Sequence, residues 1–241
     1  MTKKPVILIS AAHDVDPKTY SEIFLLNEKY AWAVVSGGGI PLLAVDPENI
    51  DEYVKLADGL VLTGGWGLNM DYINQTTLTP KYMGDYINAV RLPVEAALYK
   101  AFRDAKKPIL GICAGHQAIN AGQGGVLNYD IPGTFHVEHR DGIEHEVRTE
   151  EGSFVRELFG ERFTVNSFHQ YCIQELGRDL KITAWSDEGI PEACEHTSLP
   201  IYGFQWHPER MRGDAPIPQN APDMTLLFKA FSDKCLACRA N

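Results

Sequence analysis

The stretch Pro108-Ile109-Leu110-Gly111-Ile112-Cys113-Ala114-Gly115-His116-Gln117 joins a short, dense apolar run to the start of a helix, with one reactive side chain at the corner. A run that is apolar at nearly every position suits a strand buried on both faces, as in a parallel sheet. Gly111 and Gly115 bracket Cys113 two residues away on each side, giving G-x-C-x-G, the thiol counterpart of the serine nucleophile elbow. Such a corner lifts its side chain to the carboxyl end of the sheet, where open α/β sheets bind ligands. The helix beyond it points partial positive charge at the sulfur and leaves the backbone N–H of Ala114 free to hold a developing oxyanion. Alone, the pattern leaves two readings open: a reactive thiol, or a buried cysteine between two packing glycines.

The same alternation extends toward the N-terminus. Val6–Ser10, Ile40–Val45 and Gly59–Leu62 are further apolar runs. Between them lie a helical stretch that reaches Ser36 and is closed by Gly37-Gly38-Gly39, and a short helix from Pro47-Glu48-Asn49 to about Leu56. Strand, helix, strand, repeated, implies right-handed crossovers and a mainly parallel sheet. From Thr63 to about Asp85 the pattern lapses into a long loop, and loops of that length are usually functional. A helix is expected from about Ala89 to Ala105, kinked or delayed by Pro93. The second half reads as more antiparallel, with strands near Ile143–Val147, Leu180–Trp185, Glu192–Glu195 and Ile201–Gln205. An amphipathic helix from about Asp223 to the end carries Met224, Leu227, Phe228, Phe231, Cys235 and Cys238 on one face. The expected fold class is α/β: a three-layer sandwich with a mainly parallel central sheet flanked by helices, plus a smaller antiparallel portion, with residues 1–241 as a single domain.

Composition narrows the function. Against 32 acidic residues stand 22 basic ones, a net charge of −10 that would repel a phosphate backbone or an anionic bilayer. No nucleic-acid or membrane partner is expected, and no apolar window spans a bilayer. Five cysteines without regular spacing, and no signal-peptide core, read as a reduced cytoplasmic protein. There is no P-loop and no G-x-S-x-G, and Gly122-Gln123-Gly124-Gly125 follows a helix rather than a strand, unlike a dinucleotide fingerprint. Cys235-x-x-Cys238, Cys172 and Cys194 read as core residues rather than redox groups. His136, Glu138, His139 and His145 lack a fixed zinc spacing and read as a polar strand-and-loop surface, so no metal and no cofactor are expected.

A second stretch, Tyr202-Gly203-Phe204-Gln205-Trp206-His207-Pro208-Glu209, weighs the cysteine toward chemistry. Residues two apart in an extended segment face the same way, so Glu209 can take the proton of one His207 ring nitrogen and leave the other for a thiol. Pro208 is expected to keep that segment extended. Nucleophile, base and orienter are the parts of covalent catalysis.

These residues resemble the class I glutamine amidotransferase superfamily, and within it the γ-glutamyl-hydrolase branch, peptidase family C26. The likeness is strongest to the γ-glutamyl-γ-aminobutyrate hydrolase group of putrescine breakdown, a part of polyamine catabolism. Tyr30-Ala31-Trp32-Ala33-Val34 with Gly38-Gly39-Ile40-Pro41, Leu62-Thr63-Gly64-Gly65, Arg91 with Glu95, Asn166-Ser167-Phe168-His169 and Gly203–Glu209 carry it over nearly the whole chain. The resemblance implies Cys113 as nucleophile, His207 as base and Glu209 as its orienter. It implies an oxyanion hole from the N–H groups of Gly65 and Ala114. Gln117, the backbone of Ser167 and Phe168, His169 and Trp66 would shape the substrate pocket. Ala114 replaces the group's usual Arg, Gly64-Gly65-Trp66-Gly67 its Gly-Gly-x-Asp, and Leu92 the Asp of its R-D-x-x-E. The implied function is hydrolysis of a small γ-glutamyl-amine through a γ-glutamyl thioester. Two alternatives stay open: a glutaminase subunit supplying ammonia to a separate synthetase, and a catalytically silent γ-glutamyl-binding module. A small-molecule substrate is the expected partner, with a homodimer left open.

Overall fold

The first strand, β1 (Val6–Ser10), is followed by a hairpin of β2 (Ala12–Val15) and β3 (Glu22–Leu25). Then come α1 (Glu28–Ser36), β4 (Ile40–Ala44), α2 (Ile50–Leu56), β5 (Gly59–Leu62), α3 (Met83–Asp104), β6 (Ile109–Ile112) and α4 (Ala114–Gly122). The second half contains β7 (Val126–Asn128), α5 (Ile131–Phe135), β8 (Ile143–Thr149), α6 (Phe154–Phe159), β9 (Arg162–Ser167) and β10 (Cys172–Glu175). It closes with β11 (Leu180–Ser186), β12 (Pro191–His196), β13 (Ile201–Phe204), a 3-10 turn at Pro208–Arg210 and α7 (Thr225–Arg239). These elements come from a computed structural model that describes residues 4–16, 18–65, 83–213, 218 and 221–239.

Nine strands form one sheet in the order β4-β1-β5-β6-β13-β12-β11-β8-β9. Neighbours from β4 to β13 are parallel. From β13 to β9 every pairing is antiparallel. Alternation along the strands splits the core in two. Ile7, Ile9, Val61, Leu110 and Ile112 face α1, α6 and α7. Leu8, Leu60, Leu62 and Ile109 face α3 and α4, with α2 packed at the margin. This is the expected α/β arrangement: a parallel part, β4 to β13, with helices on both faces and an antiparallel extension. No helix among the described residues is long and apolar enough to cross a membrane.

Several local expectations are corrected. The segment after Ser10 is not helical throughout: the β2–β3 hairpin comes first, and α1 begins only at Glu28. The cause is turn chemistry, since the Asp16 carboxylate accepts the N–H of Lys18 at 2.8 Å and closes the hairpin end. Pro93 neither delays nor ends its helix. The helix α3 starts at Met83 and runs through it, anchored by buried Leu92, Leu98, Tyr99 and Phe102. Of the expected Thr63–Asp85 loop, residues 66–82 lie outside the described residues and Met83–Asp85 are helical. On α7, Cys235 is buried but Cys238 is only half-buried, its Sγ 3.5 Å from the Lys106 carbonyl.

Candidate active site

Strands β6 and β13 run in parallel with Ile112 opposite Phe204, so the segments leaving their carboxyl ends emerge together. Cys113 is the next residue on one, and His207 lies just past the end of the other. The Cys113 N–H donates to the Phe204 carbonyl at 2.8 Å and ties the two exits to each other. Cys113 adopts φ 52° and ψ −104°. That conformation costs a residue with a side chain about 1–3 kcal/mol and persists only where the surroundings enforce it. Gly115 is part of the enforcement, because a Cβ there would strike the Leu62 carbonyl, so α4 lies directly against β5.

His207 is fixed from both sides of its backbone by one side chain. Asn166, on β9, accepts the His207 N–H at 2.9 Å and donates its amide to the His207 carbonyl at 3.0 Å. The chain after His207 is not extended as the sequence suggested. Pro208 begins a 3-10 turn, which its fixed φ suits, and the turn folds Glu209 back under the imidazole. Glu209 Oε1 lies 2.7 Å from His207 Nδ1. The Cys113 side chain lies close enough to the same ring for its charge to act on it. Gly64 is wedged beside both: a Cβ on it would lie 2.7 Å from His207 Cε1 and 3.4 Å from Cys113 Cβ.

Burial alone would push the His207 ring toward neutrality. The negative charge of Glu209, then that of Cys113, outweighs burial and raises its pKa to about 10. Burial likewise favours a neutral Glu209, but the imidazolium and Arg210 hold its carboxyl below the usual range. The arrangement can keep a buried imidazolium paired with Glu209 and close to Cys113. Above the raised value the ring loses the proton that a leaving group would take. We therefore expect kcat/KM to fall on the alkaline side with an apparent pKa near 10. In Glu209→Gln this limb should move to lower pH, because the largest of the charges retaining the proton is gone. A pH–rate profile of the two proteins checks both statements; an unmoved limb would detach it from His207.

The cleft above these groups encloses about 330 Å³. Phe168 forms one wall, its ring edge-on to His207 at 5.6 Å, with the Arg210 guanidinium stacked 4.3 Å above it. Opposite, the Tyr30 hydroxyl accepts the Gly64 N–H at 2.8 Å. Burial, then the charges of Glu209 and Cys113, push the Tyr30 phenol well above its ordinary value and keep it neutral. Arg91 underpins the Thr63–Gly64–Gly65 turn. It donates to the carbonyls of Thr63 at 2.7 Å and Gly64 at 3.0 Å, and pairs with buried Glu95 at 2.7 Å. Ser10 is the other partner of that carboxylate, at 2.5 Å. Arg91→Met should leave Glu95 buried beside a lone hydroxyl, and breaking such a pair costs about 3–5 kcal/mol. Urea denaturation measures this, and a loss under about 1 kcal/mol would contradict the role given to the pair.

The residues singled out in the sequence do not all meet. His207, Gly65 and Phe168 line the cleft, with Glu209 and Cys113 beside the His207 ring. Ala114 is the first residue of α4, so its N–H has no intrahelical acceptor. Gln117 is buried behind the nucleophile corner, its amide donating to the Tyr171 carbonyl at 3.4 Å and to Gln205 at 3.2 Å. The Ser167 hydroxyl donates to the His139 carbonyl at 2.8 Å. Both ring nitrogens of His169 are engaged, with His139 at 3.3 Å and the Tyr171 carbonyl at 3.1 Å. Trp66 lies outside the described residues. The reading of His139 and His145 as polar surface is also corrected. Both crowd buried Glu192 on the inner strand β12, and only His136 and Glu138 are exposed. Asn166 and Arg210 gain roles that sequence reasoning had not assigned. The amide beside the N-S-x-H serine and a cation directly after His-Pro-Glu were the available signals.

Known proteins resemble the chain in sequence and in fold. The sequence profile of the family described as Peptidase C26 matches residues 5–209. A glutamine amidotransferase-like protein of Lactococcus lactis, YvdE, is 34% identical over 187 residues, covering 72% of this chain and 75% of that one. Protein NtpR of Enterococcus hirae is 30% identical over 189 residues, covering 73% and 78%. Among solved structures, a Thermoplasma acidophilum protein assigned to a GMP synthase as one of its subunits superposes with a TM-score of 0.67 over 99% of this chain and 98% of its own. It is 19% identical, so the likeness is one of fold.

Proposed function

The chain belongs to the peptidase C26 family, within the class I glutamine amidotransferase-like proteins, and from that premise we propose that it hydrolyses the amide bond of a small γ-glutamyl-amine, of the γ-glutamyl-γ-aminobutyrate kind. The observation that carries this reading is one buried imidazole, with Nδ1 on Glu209 at 2.7 Å and Cys113 close enough for its charge to act on the ring, lining a cleft of about 330 Å³. A cleft of this size suits a small ligand, in the low part of the range for such sites.

In the proposed reaction the Cys113 thiolate attacks the γ-carbonyl carbon, and the carbonyl π pair moves onto oxygen. The N–H groups of Gly65 and Ala114 hold that oxyanion. Its collapse breaks the C–N bond as protonated His207 gives its proton to the departing amine. A water molecule then loses a proton to His207 and attacks the thioester carbon. Cys113 leaves as thiolate, and glutamate is released. Glu209 holds the ring in one tautomer and offsets its charge through both steps. Tyr30 and Arg91 set the height of the Gly64–Gly65 turn and so of one oxyanion donor. The reading includes a reducing compartment such as the cytoplasm, because the nucleophile must stay a free thiol.

The test is a panel of γ-glutamyl amides, with glutamine among them, compared by kcat/KM for the purified chain alone. The proposal expects release of alkylamines at least about 10-fold faster than of ammonia, the discrimination that one extra set of pocket contacts supplies. No turnover of any γ-glutamyl amide would refute it. A second reading, a glutaminase working for a separate synthetase, draws support from the fold of the GMP synthase neighbour from Thermoplasma acidophilum. It also draws on a 33% identical stretch in an aminodeoxychorismate synthase of Streptomyces griseus, which covers 44% of this chain and 14% of that one. Glutamine cleavage only when a partner is added would favour that reading.

A further inference from the structure

Behind the cleft, three histidines close round one carboxylate. Glu192 on β12 is fully buried. Its Oε1 lies 3.2 Å from His139 Nδ1, 3.4 Å from His169 Nε2 and 3.4 Å from His145 Nε2. His139 Nδ1 and His169 Nε2 are 3.3 Å apart. An ion with ligands at about 2.0–2.1 Å in tetrahedral array spaces them about 3.3–3.4 Å from one another. The triangle of His139, His169 and Glu192 therefore already has the edge length of a metal coordination face.

The protein's own hydrogen bonds leave the cluster incomplete. Neither Glu192 oxygen and neither His145 ring nitrogen has a hydrogen-bond partner of ordinary geometry. A carboxylate buried this deeply needs a cation or a full set of donors. His169 is oriented from behind, since its Nδ1 faces the Tyr171 carbonyl at 3.1 Å. A proton there fixes the tautomer whose Nε2 turns a lone pair into the cluster, the usual support for a metal-bound imidazole.

We propose that these residues form a structural zinc site, with His139 Nδ1, His169 Nε2 and Glu192 Oε1 as the ligands in place and His145, whose Nε2 is 3.4 Å from the same Glu192 oxygen, drawn in as the fourth by a side-chain shift. Imidazole and carboxylate donors suit zinc. The three ligands in place are all buried, as in a structural site rather than a catalytic one that opens to substrate. The ion would brace the segment that grips the base. His169 N–H and the Ser167 hydroxyl both donate to the His139 carbonyl, at 2.7 and 2.8 Å. Between and beside them lie Phe168, which packs on His207, and Asn166, which holds its backbone. Tyr171, whose carbonyl supports His169, also takes the amide of Gln117 from the nucleophile helix. This assignment stands apart from the substrate proposed above.

Elemental analysis of the full chain, produced with zinc in the medium and without a metal-affinity tag, tests it. We expect about one zinc per chain in the wild type and in Cys113→Ala, and less than about a tenth of that in Glu192→Gln and His169→Ala. If those variants fail to fold, the wild type stripped by a chelator and refilled with cobalt(II) still decides. The expected spectrum has the visible bands of a tetrahedral nitrogen–oxygen site and no near-ultraviolet thiolate band, and zinc abolishes it. Zinc should also raise the Tm of the stripped wild type. A zinc-fed wild type without metal, a thiolate band, zinc retained by Glu192→Gln, or stoichiometric binding of a different metal would each overturn the assignment.

Discussion

Cys113→Ala is expected to lower kcat/KM on γ-glutamyl amides by about 10⁵-fold or more, comparable to the loss of a nucleophile elsewhere. The argument is geometric. The thiol stands at the only elbow that faces His207 among the described residues, in a conformation of φ 52° and ψ −104° that the packing sustains at some cost in stability. Removing Sγ takes away the bond-forming atom and leaves the oxyanion donors and the cleft in place. Stability should change by less than about 1 kcal/mol, since little apolar surface is lost. Steady-state kinetics and urea denaturation of the same preparation separate the two effects. Activity within tenfold of the wild type would exclude Cys113 as nucleophile.

His207→Asn is expected to cost about 10³- to 10⁴-fold, with a dependence on leaving group that Cys113→Ala lacks. Breaking the C–N bond of an alkylamide requires a proton on the departing nitrogen, whereas a weakly basic anilide needs that help less. The penalty in His207→Asn should thus be at least about tenfold smaller for a γ-glutamyl anilide than for a γ-glutamyl alkylamide. Equal penalties would mean that His207 shapes the site without moving a proton to the amine.

Much of this was visible before any coordinates. The run Ile109–Ile112 reads as a doubly buried strand because every position in it must be apolar or absent, and it pairs on both edges with other buried strands. The G-x-C-x-G spacing makes steric demands that only glycine meets, as the contact of Gly115 with Leu62 illustrates. The β2–β3 hairpin was not legible as such. Its alternation is short, and the exposed Phe24 and Leu25 blur the period that marks a half-buried strand. The turn at Pro208–Arg210 was hidden for a related reason: a proline fixes its own φ but leaves the direction of the next residues to tertiary contacts, here the imidazole and Arg210. Most remote from the sequence was the company of Glu192. His139, His145, His169 and Glu192 come from separate segments on the antiparallel side, so their spacing along the chain carries no ligand pattern. Only the sheet order brings them together.

The central claim is that Cys113 forms a covalent γ-glutamyl intermediate. Rapid acid quench of the wild type with a γ-glutamyl anilide, followed by peptide mass mapping, addresses it most directly, because a good leaving group lets acylation outrun hydrolysis. The account predicts a γ-glutamyl thioester on the peptide containing Cys113, formed at least as fast as turnover and missing in Cys113→Ala. Full-speed hydrolysis with Cys113 unmodified throughout would contradict it.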